Sequence, residues 1–563
     1  MRRHAIDTGL FFAGGSGRRA LCGAAIALIG LAGGPAGAQA ILAGMAQPAA
    51  QGQPAAVQAM MSAFAQGVAA AVSHDRALEE FYRSTDYRPV WTDAADAARR
   101  QAFLDALANA GLQGLPAARY DRAGLIAKLR GAETERDRAE AEVSMSRTFL
   151  EYARDAWSGV IDPSNIGPGL VLKVDRPDPL ALMKGLVAAS DPQGYMASLL
   201  PQAPQYNALL KEKLTLAHLA ATDAWGPPVR AGKLKAGMSG PEVVALRNRL
   251  IAMGYLAPSA DPSFDADMQA AVMQFQADHG LAPDGVVGPA TLEEINVQPI
   301  DRLKAVMADM ERWRWLPRDL GQKYVWVNLP DFSARVIVGH RVVFDSPVVI
   351  GKNTKDTRTP EFSNTMRYMD VNPVWNVPKS IATKEYLPAF QKDPNADSQL
   401  VLINQSGQIV DRSTVDFSQY DQNNFPFELK QPPSRDNALG LVKFMFPNRY
   451  NIYLHDTPSK YLFKYDRRDF SHGCVRLQKP FDLAYLLLGW QNPDPKAEFQ
   501  RALATKDQQT IDLKSPLPVH LVYFTAIPSL TGHMQYRRDI YGRDGRIFAA
   551  LQQAGVALPG DPH

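Results

Sequence analysis

Residues 453–477 read YLHDTPSKYLFKYDRRDFSHGCVRL. An apolar, strand-like run ends at His455, a polar loop follows, and Ser471-His472-Gly473-Cys474 precedes an apolar–basic–apolar run. The pattern turns helical from about Lys479, so the thiol is expected on a loop next to a helix start. At an unperturbed pKa of about 8.5, only roughly 3% of a thiol is thiolate at pH 7, so a nucleophilic cysteine needs a base. His455 and His472 are candidates to take its proton. Gly473 allows close backbone approach to a carbonyl, and the amides of Gly473 and Cys474 could form an oxyanion hole. Other readings stay open on these residues alone: a buried structural thiol, satisfied core histidines, a surface Arg476, or a zinc site completed by Asp456 or Asp469.

Working outward, the flanks are β-patterned. YVWVNL (324–329), SARVIV (333–338) and RVVFDSPVVIG (341–351) are short β-branched runs, and LVKFMF, YNIYLH and VHLVYFTAI resume the pattern later. Between them, a polar, Pro-rich and partly helical stretch, about 379–440, is too long for an ordinary loop and predicts an inserted cap.

Further N-terminal, residues 75–230 show three- and four-residue apolar spacing, as in AEVSMSRTFLEYARDAW (141–157), and predict a helical domain without a catalytic constellation. Residues 234–297 predict a three-helix module with turns at Asp284-Gly285 and Gly288-Pro289; its His279 reads as a packing or capping residue. Residues 39–74 lack Asp, Glu, Lys and Arg, which predicts a tether over 41–74. Residues 1–40 combine Arg2, Arg3, Arg18 and Arg19 with an apolar run and a small-residue cleavage site, the pattern of a secretory signal. That run is too short to span a bilayer.

The 563 residues carry a net charge of +3 and two cysteines. The first 40 residues hold four Arg, one Asp and Cys22, so signal removal leaves a near-neutral chain with Cys474 alone. Neutrality excludes a charge-based case for nucleic-acid binding, and a lone thiol in an oxidising compartment has no internal disulfide partner.

The string FQADHGLAPDGVVGPATLEEI (275–295) resembles the peptidoglycan-binding domain type 1 found beside cell-wall enzymes. His455 followed sixteen residues on by Ser-His-Gly-Cys, an apolar residue and Arg476 resembles the signature of L,D-transpeptidases with the YkuD-type catalytic domain. MERWRWLP, VNLPDFSARVIV, VIGKNTKDTRTPEFS, NPVWNVPKSIATKEYLP and DNALGLVKFMFPNRYNIYLHDTPSK extend the likeness, so nearly the whole mature chain resembles the large scaffold-bearing Gram-negative members. One departure is QPPSRDNALG (431–440), where a Pro-Gly turn is expected before the Asn.

The resemblance implies a multidomain α+β protein: a helical scaffold, a small three-helix wall-binding module, a mostly-β catalytic domain over 298–530 with a cap, and a C-terminal extension over 531–563. It implies Cys474 as nucleophile on the third residue of a tetrapeptide stem, with loss of terminal D-Ala, and His455 as general base and later acid. It assigns His472, Gly473 and Cys474 amides to the oxyanion hole, Ser471 to shaping the site, and Arg476 to orienting the loop or a substrate carboxylate. A neighbouring stem amine then resolves the thioester into a 3→3 cross-link in the periplasm. No metal or organic cofactor is required, the partners are peptidoglycan stems, and carbapenem-type inhibitors are expected. Hydrolysis to a tripeptide, transfer to a lipoprotein, and a non-catalytic wall-binding scaffold are the alternatives. A papain-like cysteine peptidase is a further alternative, disfavoured because such enzymes place Cys before His, whereas here His455 precedes Cys474.

Overall fold

The computed structural model describes residues 61–529 and 533–558, so the expected signal and residues 41–60 of the expected tether lie outside the described residues. The N-terminal part is helical, as expected. Its axis is the helix Glu135–Ser158, which Thr134 opens through a reciprocal capping box with Asp137. Glu142 on that helix is buried, and its carboxylate accepts the N–H groups of Val90, Trp91 and Thr92 at 2.7–3.1 Å. Three converging donors make a buried carboxylate tolerable.

Residues 61–74 depart from the expected tether. They carry a helix, Ala63–Val72, capped by Ser62, with Phe64, Val68 and Val72 buried. At Gly67 a Cβ would lie 2.8 Å from the Ala139 Cβ, so only a glycine allows the two helices this approach. A charge-free Ala/Gln/Gly stretch reads as linker, yet those small residues are what close helix packing requires.

The second helical unit is the expected module, with helices Pro241–Ala252, Ala266–Asp278 and Pro289–Ile295 around Leu246, Leu250, Met268, Phe275 and Ile295. Gln276 pins its turn, accepting the Gly285 N–H and donating to Asp284, both at 2.9 Å. His279 is a packing residue: its ring stacks on Phe275 at 3.9 Å and Nδ1 lies 2.8 Å from the Phe275 carbonyl.

The outer boundaries of the expected catalytic domain also shift. The helix Pro299–Trp315 shares a core with Pro204–Ala221 and with a C-terminal helix, Arg543–Gln553, through Leu209, Leu216, Leu303, Met310, Ile547 and Leu551. The expected C-terminal extension is therefore part of the core, because Arg543, Ile547 and Phe548 are buried in it.

The C-terminal half is built on a nine-stranded sheet. Its strands are β1 (Lys323–Asn328), β2 (Ser333–Val338), β3 (Arg341–Gly351), β4 (Phe362–Val371), β9 (Val442–Met445), β10 (Leu454–His455), β11 (Asp469–Ser471), β12 (Val475–Leu477) and β13 (Gln509–Val522). The order is β11-β3-β12-β10-β9-β4-β13-β1-β2, and β2 pairs back onto β3, closing the sheet on itself. Val336, Ile350, Met369, Phe444, Leu454, Val475 and Val519 fill its interior. Between β4 and β9 the chain leaves the sheet and forms the expected cap. A four-stranded sheet of β5 (Trp375–Asn376), β6 (Val401–Ile403), β7 (Ile409–Val410) and β8 (Glu428–Gln431) has its own core of Phe390, Leu402, Phe417 and Leu429. At the departure noted above, buried Asn437 ties the segment together. Its Nδ2 donates to the carbonyls of Pro373, Gln431 and Pro432 at 2.9–3.1 Å.

Candidate active site

Strand register builds the floor of the site. Lys443 on β9 faces His455 on β10, which faces Arg476 on β12. Residues directly opposite on neighbouring strands share a face, so the three polar side chains stand in a row in otherwise apolar runs. All three line a cavity of about 1210 Å³ with Ser471, His472 and Cys474, under a roof of cap residues that includes Trp375, Tyr386 and Phe427. Lys443 was missed in the sequence; its signal is a lone lysine inside LVKFMF.

Cys474 sits between β11 and β12, half-buried, and its Sγ–H donates to the Asn451 carbonyl at 3.4 Å. The nearest following helix starts at Pro480, after β12, so the expected helix start does not adjoin the thiol. Burial pushes the thiol up to about 11, against a partial lowering by Tyr453, Arg476 and Lys443. At neutral pH the resting group is a thiol.

His455 is buried, and burial together with Arg476 pushes its pKa down to about 3. The ring is neutral, and Nδ1 lies 2.5 Å from the Asp456 carbonyl. A carbonyl can only accept, so the proton sits on Nδ1 and Nε2 keeps its lone pair. No hydrogen bond joins His455 to Cys474 among the described residues; the two groups share the cavity.

The loop that carries Cys474 is held from within. Ser471 Oγ donates to the Cys474 carbonyl at 2.6 Å and accepts the Gly473 N–H at 3.1 Å. The Gly473 amide is therefore engaged inside the loop, contrary to its expected place in an oxyanion hole. The amides of His472 and Cys474 have no acceptor among the described residues. Gly473 has φ +123°, and a Cβ there would lie 3.2 Å from Ile452 Cδ1, so glycine is required. His472 reaches the cap, its Nε2 lying 2.5 Å from Glu385 Oε1. Arg476 has no carboxylate partner among the described residues, and its buried Nε has no hydrogen bond. Burial lowers its pKa, while the neighbouring thiol opposes that.

A second cavity, about 1070 Å³, lies away from the thiol beside the three-helix module. Its Arg537, Arg538 and Lys304 are each paired with a carboxylate, which marks a structural seam. Among the described residues no group of three or more His, Cys, Asp or Glu is placed to hold a metal ion, and no helix is long and apolar enough to cross a membrane.

Comparison with known proteins meets this geometry. Residues 322–495 match the family model of the L,D-transpeptidase catalytic domain. This stretch of the chain is similar to L,D-transpeptidase catalytic domains. Residues 76–214 match a scaffold domain, and 239–295 match a model described as "Putative peptidoglycan binding domain". A protein of Haemophilus influenzae named "Putative L,D-transpeptidase" is 33% identical over 231 residues, 40% of this chain and 45% of that protein. The match thus spans less than half of that relative. An N-acetylmuramoyl-L-alanine amidase of Bacillus licheniformis is 47% identical over 60 residues, 10% of this chain and 17% of that protein. An L,D-transpeptidase structure from Stackebrandtia nassauensis is 14% identical, covering 52% of this chain and 96% of that one. Its TM-score is 0.21.

Proposed function

We propose that this chain is a cell-wall-associated peptidoglycan L,D-transpeptidase that works outside the cytoplasm through a Cys474 thioester. The carrying observation is the placement of Cys474 above the Lys443–His455–Arg476 row in a cavity roofed by the cap. Domain matches to a catalytic and a wall-binding unit on one chain support the same reading.

With the thiol near 11 and the imidazole near 3, a standing thiolate–imidazolium pair is unfavourable. Proton transfer to His455 Nε2 is therefore coupled to attack of Sγ on the carbonyl of the third stem residue. Lys443 and Arg476 offset the developing negative charge, and the Cys474 and His472 amides face the oxyanion. The bond to terminal D-Ala breaks, His455 returns its proton to the leaving amine, and a thioester remains. The side-chain amine of a neighbouring stem attacks that thioester, gives up a proton through His455, and releases the thiol with a 3→3 cross-link. Arg476, without a carboxylate of its own, suits a stem carboxylate.

Incubating the mature protein with disaccharide-tetrapeptide tests this by mass spectrometry. An acyl-enzyme on Cys474 and cross-linked dimers are expected. Tripeptide alone would reassign the activity to hydrolysis, and no adduct would sink the thioester.

A further inference from the structure

The Gly473 carbonyl and the Cys474 N–H belong to one peptide unit. In a trans peptide these two groups point in opposite directions, so whatever fixes the carbonyl also aims the amide. The Gly473 carbonyl is fixed by Thr359, whose Oγ1 donates to it at 2.7 Å. That hydroxyl also accepts the Gly351 N–H at 3.0 Å, so its single proton is directed to Gly473. Thr359 is fully buried, behind the loop from the cavity.

The C-terminal segment holds Thr359 in turn. Arg543 Nη2 donates to the Thr359 carbonyl at 2.9 Å, and Arg543 Nη1 pairs with Glu361 at 2.7 Å. The Tyr541 hydroxyl accepts the Thr359 N–H at 3.3 Å and donates to the Gly351 carbonyl at 2.6 Å. Glu361 also donates its N–H to the Gly169 carbonyl at 2.7 Å, tying this brace to the helical half.

We propose that Thr359, braced by Tyr541 and Arg543, is a positioning residue that aims the Cys474 amide at the oxyanion. Gly473 in its left-handed conformation is otherwise free to rotate that peptide; the threonine hydroxyl removes the freedom. The inference rests on the reading of Cys474 as an acylated nucleophile.

Two probes separate amide positioning from thiol positioning in the full-length mature protein. Acylation by imipenem passes through a tetrahedral oxyanion, whereas alkylation by iodoacetamide displaces iodide without one. Thr359→Val is expected to slow acylation about 10- to 100-fold, somewhat less than outright loss of an oxyanion donor. Its alkylation should stay within twofold of wild type, and Thr359→Ser should restore acylation. Acylation within twofold of wild type in Thr359→Val overturns the proposal, as does an equal fall in both rates. Should Thr359→Val not fold, Thr359→Ala is read against Thr359→Ser by the same two rates and the same criteria. Wild-type protein that is alkylated but never acylated would refute the nucleophile reading itself, an outcome distinct from failure of the brace.

Discussion

Two places in the C-terminal half draw cations out of bulk water, and they treat them in opposite ways. In the seam under the C-terminal helix, Arg312 sits between Asp309 and Asp544 at 2.7 and 2.6 Å, and Arg543 pairs with Glu361 at 2.7 Å. Both guanidiniums also lie over the Tyr523 ring, at 5.0 and 4.9 Å. On the cavity floor, Arg476 has no carboxylate, Cys474 is held as a thiol and His455 as a neutral ring. Paired buried charge specifies how segments far apart in sequence dock. Unpaired buried charge facing a cavity is costly to the fold and useful to a ligand. The contrast is testable by removing groups from each place.

The largest effect falls on the floor. Cys474→Ala should bring imipenem acylation to background while leaving the urea midpoint nearly unchanged, since a thiol is a weak donor and its contact with the Asn451 carbonyl is a long 3.4 Å. Acylation that persists in this variant would locate the nucleophile elsewhere. In the seam the order reverses. Arg543→Met strands Glu361 as a buried, unpaired carboxylate and should lower stability by about 3–5 kcal/mol. Urea unfolding measures it, and a loss under about 1 kcal/mol would mean that the seam is not a structural brace.

How much of this was legible depends on the range of the interactions. Period-two apolar runs marked the strands, and a long polar interruption marked the cap, because local pattern carries both. Cys474 and His455 stood out because a thiol and an imidazole are rare enough for spacing to single them out. Thr359 did not, since nothing local separates a threonine in TRTPEF from its neighbours, and Lys443 is marked only as a lone lysine in LVKFMF, a pattern that names no partner. Their roles come from register and from bonds across more than a hundred residues, such as Thr359 to Gly473. The C-terminal segment reads as a mere extension for the same reason: Arg543 finds its partner at Glu361, 182 positions away. The Gly473 amide was misassigned because the neighbouring Ser471 hydroxyl competes for it, which only the folded loop reveals.

Titration sharpens the comparison at a smaller scale. His455 has its folded pKa depressed from 6.5 to about 3, so across that interval the unfolded chain holds a proton that the folded one lacks. Stability therefore rises with pH there, and the contribution present above 6.5 is lost as pH falls toward 3. The slope approaches about 1.4 kcal/mol per pH unit for one proton. Cys474, raised from 9.0 to about 11, acts at the other end: its contribution is complete below 9 and lost as pH rises toward 11. Urea midpoints against pH for wild type, His455→Gln and Cys474→Ala should show each slope vanish in its own variant. A His455→Gln profile parallel to wild type between pH 4 and 6 would mean that the ring is not held neutral.

The smallest stability effect is the most diagnostic, because its sign is opposed to that of Arg543. Arg476→Met replaces a half-buried cation that has no carboxylate partner among the described residues with an apolar chain of similar length. What is lost is a charge whose burial was uncompensated; no partner is stranded. Stability should therefore stay level or rise by about 0–1 kcal/mol, while acylation by imipenem slows because a cation that favours the developing thiolate is gone. Arg476→Lys should recover part of the rate, since it restores the charge without the planar fork. A clear destabilisation by Arg476→Met, comparable to Arg543→Met, would show that the floor arginine holds the fold as the seam does. The distinction between charges that assemble this chain and charges kept for its substrate would then collapse.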